Sequence, residues 1–478
     1  MKTTFVRNAR TASQIICLAI CLLLGVMFNS AAGSDSALTM PSDSLETTEM
    51  EETELAFDDE ESGELEMEED DSINGGPSDG PSLLSQILKP ARFTIRYELS
   101  YKTESPAGMI NNRSSFRLEY STFFLDQFYI QFDAKLNAFW EDDHRAEAEE
   151  KDVLLETSSR EAFVQASFAE TSIRVGTQVM IWGESDGGAI TDVISPRNYS
   201  ELFFISLEES RIGQPMVALD QFSSIGQWSV FYVPDPEFNT YPEEGTAYAV
   251  DPFEGMAEYR DEEGDESLDE FGVRWKKTFG KSDVSIMAAS LMDNDYAYRM
   301  DGFTGSGQYV ISKTRQRYSM LGTAFNYVTG SFLLKGEIAR KSPRVFNDAS
   351  YQLIERDVLD VALGLEYSQG GTYSLGLELV NNHVDDWSDD LLGVPEDARS
   401  LVLVWNQTFL NEDLSLNWMT QATVPYAAYI HSLTSSYKWN DGVTIYLEGY
   451  CPDIRDEESA LWVYRDQKQL VLKAQYQF

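Results

Sequence analysis

The sequence QLVLKAQYQF, residues Gln469–Phe478, stands at the end of the chain and decides the fold class. Apolar and polar residues alternate along it, which is typical of a β-strand with one apolar face and one mostly polar face. The apolar face is formed by Leu470, Leu472, Ala474, Tyr476 and Phe478. The chain therefore ends in an amphipathic strand whose last side chain is an aromatic ring.

The same alternation recurs after residue 90. It is clear in ARFTIRYELSYK (residues 91–102), FYIQFDAKLNAFW (128–140) and DVALGLEYS (360–368). Alternating strands also occur in soluble β-sandwiches, so the connections between the strands must decide between a sandwich and a barrel.

The connections alternate between short turns and longer acidic links. Short turns lie, for example, at residues 126–127 and 440–442, whereas the links at residues 141–152 and 259–270 are long and rich in Asp and Glu. Short periplasmic turns and long outer loops are the layout of an outer-membrane barrel. We therefore predict an all-β fold, a transmembrane antiparallel β-barrel of about 18 strands over residues 91–478. A count of 16 stays open because some strands are faint.

The C-terminal strand resembles the targeting strand of Gram-negative outer-membrane β-barrels. Those strands end in Phe with an aromatic residue two positions earlier, which matches Phe478 and Tyr476 here. The resemblance implies that the barrel-assembly machinery recognises this strand as an assembly signal. It also implies that the protein lies in the cell outer membrane, in contact with its lipid. An even number of strands places both termini on the periplasmic side.

The N-terminus is predicted to be a secretory signal peptide over residues 1–32. Basic residues precede the apolar core Ile15–Phe28, and small residues follow it, so cleavage is expected near Ala32. A retained membrane anchor is the alternative interpretation.

Residues 33–82 are predicted to form a disordered acidic tail in the periplasm. This region is rich in Asp and Glu, and no Lys or Arg occurs between Arg10 and Lys89. Self-repulsion and few large apolar groups favour disorder. The tail is either a solubilising leader or an arm that docks a basic periplasmic protein, and residues 83–90 are predicted to add a short amphipathic segment. The formal net charge of −44 excludes nucleic acid as a partner.

One stretch, SIRVGTQVMIWGESDGGAITDVISPRNYSELFFISLEESRIGQPMVAL (Ser172–Leu219), departs from plain alternation. Its first residues form the predicted fifth strand, and their parity turns Arg174, Gln178 and Trp182 toward the lumen. About thirty residues of non-repeating sequence follow before alternation resumes near Met216. We therefore predict a segment after the fifth strand that either folds into the lumen or forms a loop.

This stretch resembles an uncharacterised family of proteobacterial porin-like outer-membrane proteins. The family is marked by an Arg-x-Gly-x-Gln strand, then Trp-Gly-Glu, then an Asp…Asn/Ser-Pro-Arg/Asp element. The matching residues are Arg174, Gly176, Gln178, Trp182, Gly183, Glu184, Asp186, Asp192, Pro196, Arg197, Arg211 and Pro215. The resemblance implies an outer-membrane barrel connected with export or uptake of lipid-like or other hydrophobic compounds, and it implies no reaction.

Opposite charges concentrate where this stretch meets the predicted barrel wall. The candidates for lining the lumen or setting its selectivity are Arg174, Gln178, Trp182, Glu184, Asp186, Asp192, Arg197 and Arg211. The candidates for a structural role are Gly176, Gly183, Pro196 and Pro215. Pairs of Arg and carboxylate would set the electric field at a constriction, or would only latch an external loop, and both interpretations stay open.

The sequence contains no catalytic motif, zinc spacing or phosphate loop, so we predict no enzyme, no metal site and no cofactor. The histidine among four aspartates in HVDDWSDD (His383–Asp390) is interpreted as part of a solvated acidic loop. The predicted function is a channel that passes small or hydrophobic solutes across the outer membrane. The alternative is a plugged, non-conducting barrel that serves as a structural or docking protein for a periplasmic partner.

Overall fold

The computed structural model describes residues 90–124, 127–185, 187–188, 190–253, 255–261 and 268–478. The predicted signal peptide and acidic tail lie outside these residues. Among the described residues, no helix is long and apolar enough to cross a membrane.

Eighteen strands of the described chain form one antiparallel sheet. They are β1 (Ala91–Lys102), β2 (Gly108–Phe124), β3 (Phe128–Trp140), β4 (Val153–Phe168), β5 (Thr171–Gln178), β6 (Gln214–Gln221), β7 (Gln227–Val233), β9 (Glu270–Phe279), β10 (Ser282–Met292), β13 (Arg317–Thr329), β14 (Phe332–Asn347), β15 (Leu353–Gln369), β16 (Tyr373–Val384), β17 (Asp397–Phe409), β18 (Leu414–Val424), β19 (Ala428–Asn440), β20 (Val443–Ile454) and β21 (Gln469–Gln477). A separate small sheet contains β8 (Ala257–Asp261), β11 (Ala297–Phe303) and β12 (Tyr309–Thr314). Short helices lie at His144–Ala148, Leu202–Phe204, Leu207–Ser210 and Trp462–Tyr464.

The large sheet is a closed barrel because its first and last strands pair with each other. Strand β21 pairs with β20 on one edge and with β1 on the other. In the closing pair Leu99 lies opposite Leu472, and the backbone N–H of Phe93 donates to the Phe478 carbonyl at 2.9 Å. The prediction of 18 strands is confirmed, and the predicted turn at residues 440–442 joins β19 to β20.

The two faces of the barrel wall differ in polarity. Outward side chains are mostly apolar and exposed, for example Leu321 at 63%, Leu363 at 49% and Leu472 at 49%. Inward positions carry buried charges such as Glu337 and Glu448. An apolar band outside a polar interior is stable where lipid surrounds the wall, which is the architecture of an outer-membrane barrel.

The strands of the wall are shorter on one side of the barrel, and the chain enters the lumen there. Strands β5, β6 and β7 have 8, 8 and 7 residues, whereas β14 and β15 have 16 and 17. Between β5 and β6 run residues 179–213, which we call the inner segment. Its side chains Trp182, Ile190 and Ile194 are at most 2% exposed and belong to one apolar cluster with Phe231 of β7. Of the two predicted arrangements, the segment adopts the lumen-folded one.

Candidate functional site

The first part of the inner segment is attached to β14 and β16 by two buried glutamates. Glu337 of β14 accepts hydrogen bonds from the backbone N–H of Ser185 at 2.5 Å and from the N–H and hydroxyl of Thr191 at 3.0 and 2.7 Å. Glu378 of β16 accepts from the backbone N–H of Gly187 at 2.6 Å. Each of these wall carboxylates accepts backbone N–H groups of the segment and thereby fixes its path.

Two glycines of the inner segment allow this close approach. A Cβ added at Gly187 would lie 2.7 Å from Glu378 Oε1 and 2.8 Å from Val402 Cγ2. A Cβ added at Gly183 would lie 2.8 Å from the Cβ of Asp192. All three distances are shorter than ordinary nonbonded contacts, so a larger residue at either position would force its neighbours to shift.

The last part of the inner segment is attached to β1, β2 and β3 by ion pairs. Glu201 pairs with Arg113 of β2, and His144 Nε2 lies 3.6 Å from the same carboxylate. Glu209 lies 2.6 Å from Arg96 of β1. It also lies 3.4 Å from Lys135 of β3.

Both of these carboxylates are ionised at neutral pH. Burial alone would raise the pKa of Glu201, but the charge of Arg113 outweighs burial and holds that pKa well below its usual range. Burial opposes ionisation at Glu209 too, and there Lys135 and Arg96 lower the pKa well below its usual range. The second attachment therefore consists of charged pairs.

The inner segment crosses the lumen from one wall to the opposite one. Strands β2 and β14 lie half-way round the ring of 18 strands from each other, and the segment is bonded to Arg113 on the first and to Glu337 on the second. At the β2 end Phe204 packs against Tyr248 and Tyr450, with ring centroids 5.2 and 5.1 Å away. The segment is thus a crossbar held at both ends.

The structure brings three of the predicted charges together within the inner segment. Asp192 Oδ2 accepts from Arg197 at 3.1 Å and from Arg211 at 3.0 Å. A backbone bridge joins the two arginines. This ion triad holds the two arms of the segment side by side.

Other predicted residues lie apart from this triad. Arg174 pairs with Asp220 of the neighbouring strand β6 at 3.3 Å, so its ion pair lies within the wall. Glu184 contributes its backbone N–H to Glu337. Asp186 lies outside the described residues.

The remaining predicted residues occupy positions in or next to the wall. Gln178 is fully buried and its amide donates to the Met216 carbonyl at 3.4 Å. Trp182 packs edge to face on Phe231 at 5.1 Å, an arrangement worth about 1 kcal/mol beyond the burial of area. Pro215 lies in β6 opposite Thr177. The Pro196 carbonyl accepts from the Ile212 N–H at 2.8 Å, and Gly176 has φ +134°.

The sequence interpretation missed the residues that attach the inner segment to the wall. On the wall these are Arg96, Arg113, Lys135, Glu337 and Glu378, and on the segment they are Glu201 and Glu209. The strand alternation contained a signal for the wall residues, because it turns each of these charges toward the lumen. It contained no signal for their partners, since those contacts join positions far apart in the chain.

A cavity of about 560 Å³ lies between the inner segment and strands β1–β4 and β19–β21. Its lining includes eight Arg or Lys and six Asp or Glu side chains. The basic ones are Arg96, Arg113, Arg117, Lys135, Arg145, Arg160, Arg211 and Lys473, and the acidic ones are Glu98, Asp133, Glu156, Glu201, Glu209 and Glu448. The cavity is therefore slightly basic although the chain carries −44. Within the described ranges, no group of three or more His, Cys, Asp or Glu side chains is placed to hold a metal ion.

Comparison with known proteins gives a family and a set of similar barrels. A family model described as "Protein of unknown function (DUF1302)" matches residues 90–448. A search of curated proteins gave no significant match.

Three solved structures illustrate what this one is similar to. Acinetobacter baumannii OccAB2 is 11% identical, with 81% of this chain and 97% of that chain covered and a TM-score of 0.46. Pseudomonas aeruginosa OpdL is 10% identical, with 81% of this chain and 98% of that chain covered and a TM-score of 0.46. Salmonella typhi OmpF in complex with daunomycin is 11% identical, with 81% of this chain and 97% of that chain covered and a TM-score of 0.39. At this level of identity the likeness concerns the barrel fold alone.

Proposed function

This chain belongs to the DUF1302 family, and for it we propose a channel in the outer membrane of a Gram-negative bacterium, with both termini in the periplasm. The observation that supports the proposal is the unequal filling of the lumen. The inner segment packs against strands β6, β7, β10 and β13–β16, whereas a cavity of about 560 Å³ lies between it and β1–β4. A charged cavity inside a closed barrel offers solutes a path away from lipid.

The charges beside the cavity favour small solutes that carry a polar or charged group. Glu209, Arg96 and Lys135 lie where the inner segment faces the wall, so solutes pass through the field of these ion pairs. Fixed charges at a narrow, partly water-excluded point discriminate between ions more strongly than surface charges do. The segment therefore both narrows the lumen and sets its selectivity.

Conductance of purified protein in planar bilayers tests the channel. In a KCl gradient, Glu209→Gln is expected to raise the anion-to-cation permeability ratio roughly twofold, because it removes a negative charge beside Arg96 and Lys135. The matched control is Glu258→Gln, since Glu258 is an exposed carboxylate of the separate small sheet paired with Arg260. This control is expected to leave the reversal potential unchanged.

A well-folded protein that conducts no ions contradicts the channel and favours the plugged barrel. In that event the acidic tail becomes the part to test. Recovery of a basic periplasmic protein by the full chain, and not by a chain lacking residues 33–82, would support the docking function.

A further inference from the structure

The barrel wall is interrupted beside the cavity, along one edge of β4. Strand β4 pairs with β3 from Val153 to Ala166, but β5 pairs with β4 only from Ala162 to Phe168. No described strand pairs with this second edge between Val153 and Ser159. The backbone groups of that edge have no strand beside them, because β5 is short and the chain turns into the lumen after Gln178.

This interruption lies at the level of the apolar outer band. Thr157 of β4 lies opposite Leu136 of β3, and Leu136 lies opposite Phe116 of β2. Leu136 and Phe116 face outward and are 40% and 39% exposed. Outward apolar side chains at this height contact lipid in an outer-membrane barrel, so the unpaired edge of β4 lies at the level of the bilayer.

The cavity extends to this edge. Its lining includes five consecutive residues of β4, from Glu156 to Arg160. Successive strand residues point to opposite faces, so a cavity enclosed by an intact wall would touch alternate side chains. Thr157, Ser158 and Ser159 are also exposed in succession. Access to both faces of a strand is expected where the strand ends the wall.

Residues 211–213 of the inner segment form the facing border of the gap. A Cβ added at Gly213 would lie 1.9 Å from the Arg160 carbonyl oxygen, so the two backbones touch there. Arg211 and Ile212 line the cavity just before this contact. The gap is bounded by residues 157–160 on one side and 211–213 on the other, and we call it the lateral opening.

We propose that the lateral opening lets an amphiphile with an anionic head group pass between the cavity and the bilayer. The proposal rests on the proposed channel function and names a solute class for it. The head group would lie in the cavity, where Arg and Lys side chains outnumber carboxylates. The hydrocarbon tail would lie across the opening, beside the exposed Leu155, and would remain in lipid rather than in the polar lumen.

Filling the opening tests the route. Thr157→Trp places a large side chain at the edge, and transfer of a pyrene-labelled fatty acid across proteoliposomes containing the full chain is measured together with ion conductance. Transfer is expected to fall at least fivefold, with conductance changed less than twofold. The matched control is Thr323→Trp, since Thr323 also faces outward but lies in β13, which pairs on both edges. Equal loss in both variants, or no loss in Thr157→Trp, overturns the proposal.

Lipid contact at the edge provides a second measurement that does not depend on transport. In a Cys451→Ser background, bimane attached to Ser158→Cys is expected to be quenched by brominated lipid although this position has inward parity. Bimane at Ser115→Cys is the control, because Ser115 also lines the cavity but lies in β2 between two paired strands. Quenching at neither position means that the wall is closed.

The two proposals fail differently. Protein that conducts ions but transfers no labelled fatty acid refutes the lateral route and leaves the channel in place. Protein that neither conducts nor transfers refutes both.

Discussion

At the scale of single residues, the fold depends on a few positions where the backbone passes very close to a neighbour. Gly176 in β5 combines such an approach with a positive φ, since a Cβ there would lie 2.3 Å from the Ala162 carbonyl oxygen and the residue has φ +134°. Its place in the Arg-x-Gly-x-Gln pattern thus has a steric explanation. An inward strand position alone would have accepted alanine.

We expect Gly176→Ala to destabilise the barrel by about 3 kcal/mol or more, from backbone strain and overpacking together. The measurement is the temperature at which the folded band is lost on unheated SDS gels. Gly376→Ala in β16 is the control, because the nearest atom to an added Cβ there is 4.0 Å away. A Gly176→Ala protein as heat-resistant as this control would show that the close approach relaxes at little cost.

A second residue-scale prediction concerns Glu337. Glu337→Ala removes the acceptor for the N–H groups of Ser185 and Thr191, and each buried N–H left without a partner costs about 1 to 3 kcal/mol. We expect trypsin to cut the inner segment at Arg197 or Arg211 at least about tenfold faster, since 1.4 kcal/mol corresponds to a factor of ten. Glu355→Ala, which removes an exposed carboxylate bonded to Gln316, should leave the cleavage rate unchanged.

At the scale of elements, the inner segment has two attachments with different chemistry. The first joins wall carboxylates to backbone N–H groups, and the second joins Glu201 and Glu209 to basic residues of β1–β3. Acid is expected to loosen the second attachment through its own carboxylates.

The depressed pKa values of Glu201 and Glu209 give the sign of this pH dependence. A carboxyl whose pKa is lower folded than unfolded contributes stability that is fully present above the unfolded value, about 4.3, and is lost as pH falls toward the folded value. Trypsin or pepsin sensitivity of residues 199–211 should therefore be constant from pH 8 to 5 and rise only below about pH 4. A rise between pH 7 and 5 would falsify this assignment.

The strands of the wall could be predicted from the sequence more completely than the contacts of the inner segment. Strands such as β3 and β15 were predictable because one face meets lipid and the other water, which forces a period of two in FYIQFDAKLNAFW and DVALGLEYS. The inner segment has no such period, since its residues contact the wall from many directions. Its presence could be predicted from the loss of alternation, but its attachment to Glu337 and Arg113 depends on which strands the closed ring brings to opposite sides.

At the scale of the whole molecule, barrel closure depends on the C-terminal strand. Phe478 exchanges backbone hydrogen bonds with Phe93 of β1 at 2.9 and 3.0 Å. Its ring stacks on Phe93 and Tyr476 at 5.5 and 5.3 Å. The residue proposed as an assembly signal is therefore also part of the seam that closes the barrel.

Deletion of Phe478 is expected to lower the amount of assembled barrel in the outer membrane severalfold, because recognition and closure are both weakened. The measurement compares the heat-modifiable band in membrane fractions with total protein. Phe409→Ala, at the end of β17 and away from the seam, is the control. Normal assembly without Phe478 would contradict this prediction and would show that the pairing of β1 with β21 is enough to close the barrel.

The crossbar has a mechanical consequence for the barrel. Strands β2 and β14 are opposite each other in the ring, and the inner segment is bonded to both. A wide cylinder of hydrogen-bonded strands flattens easily when the surrounding bilayer presses on it unevenly. A segment bonded to opposite sides of the barrel resists this flattening. The cross-section of the pore should therefore depend little on membrane tension or thickness.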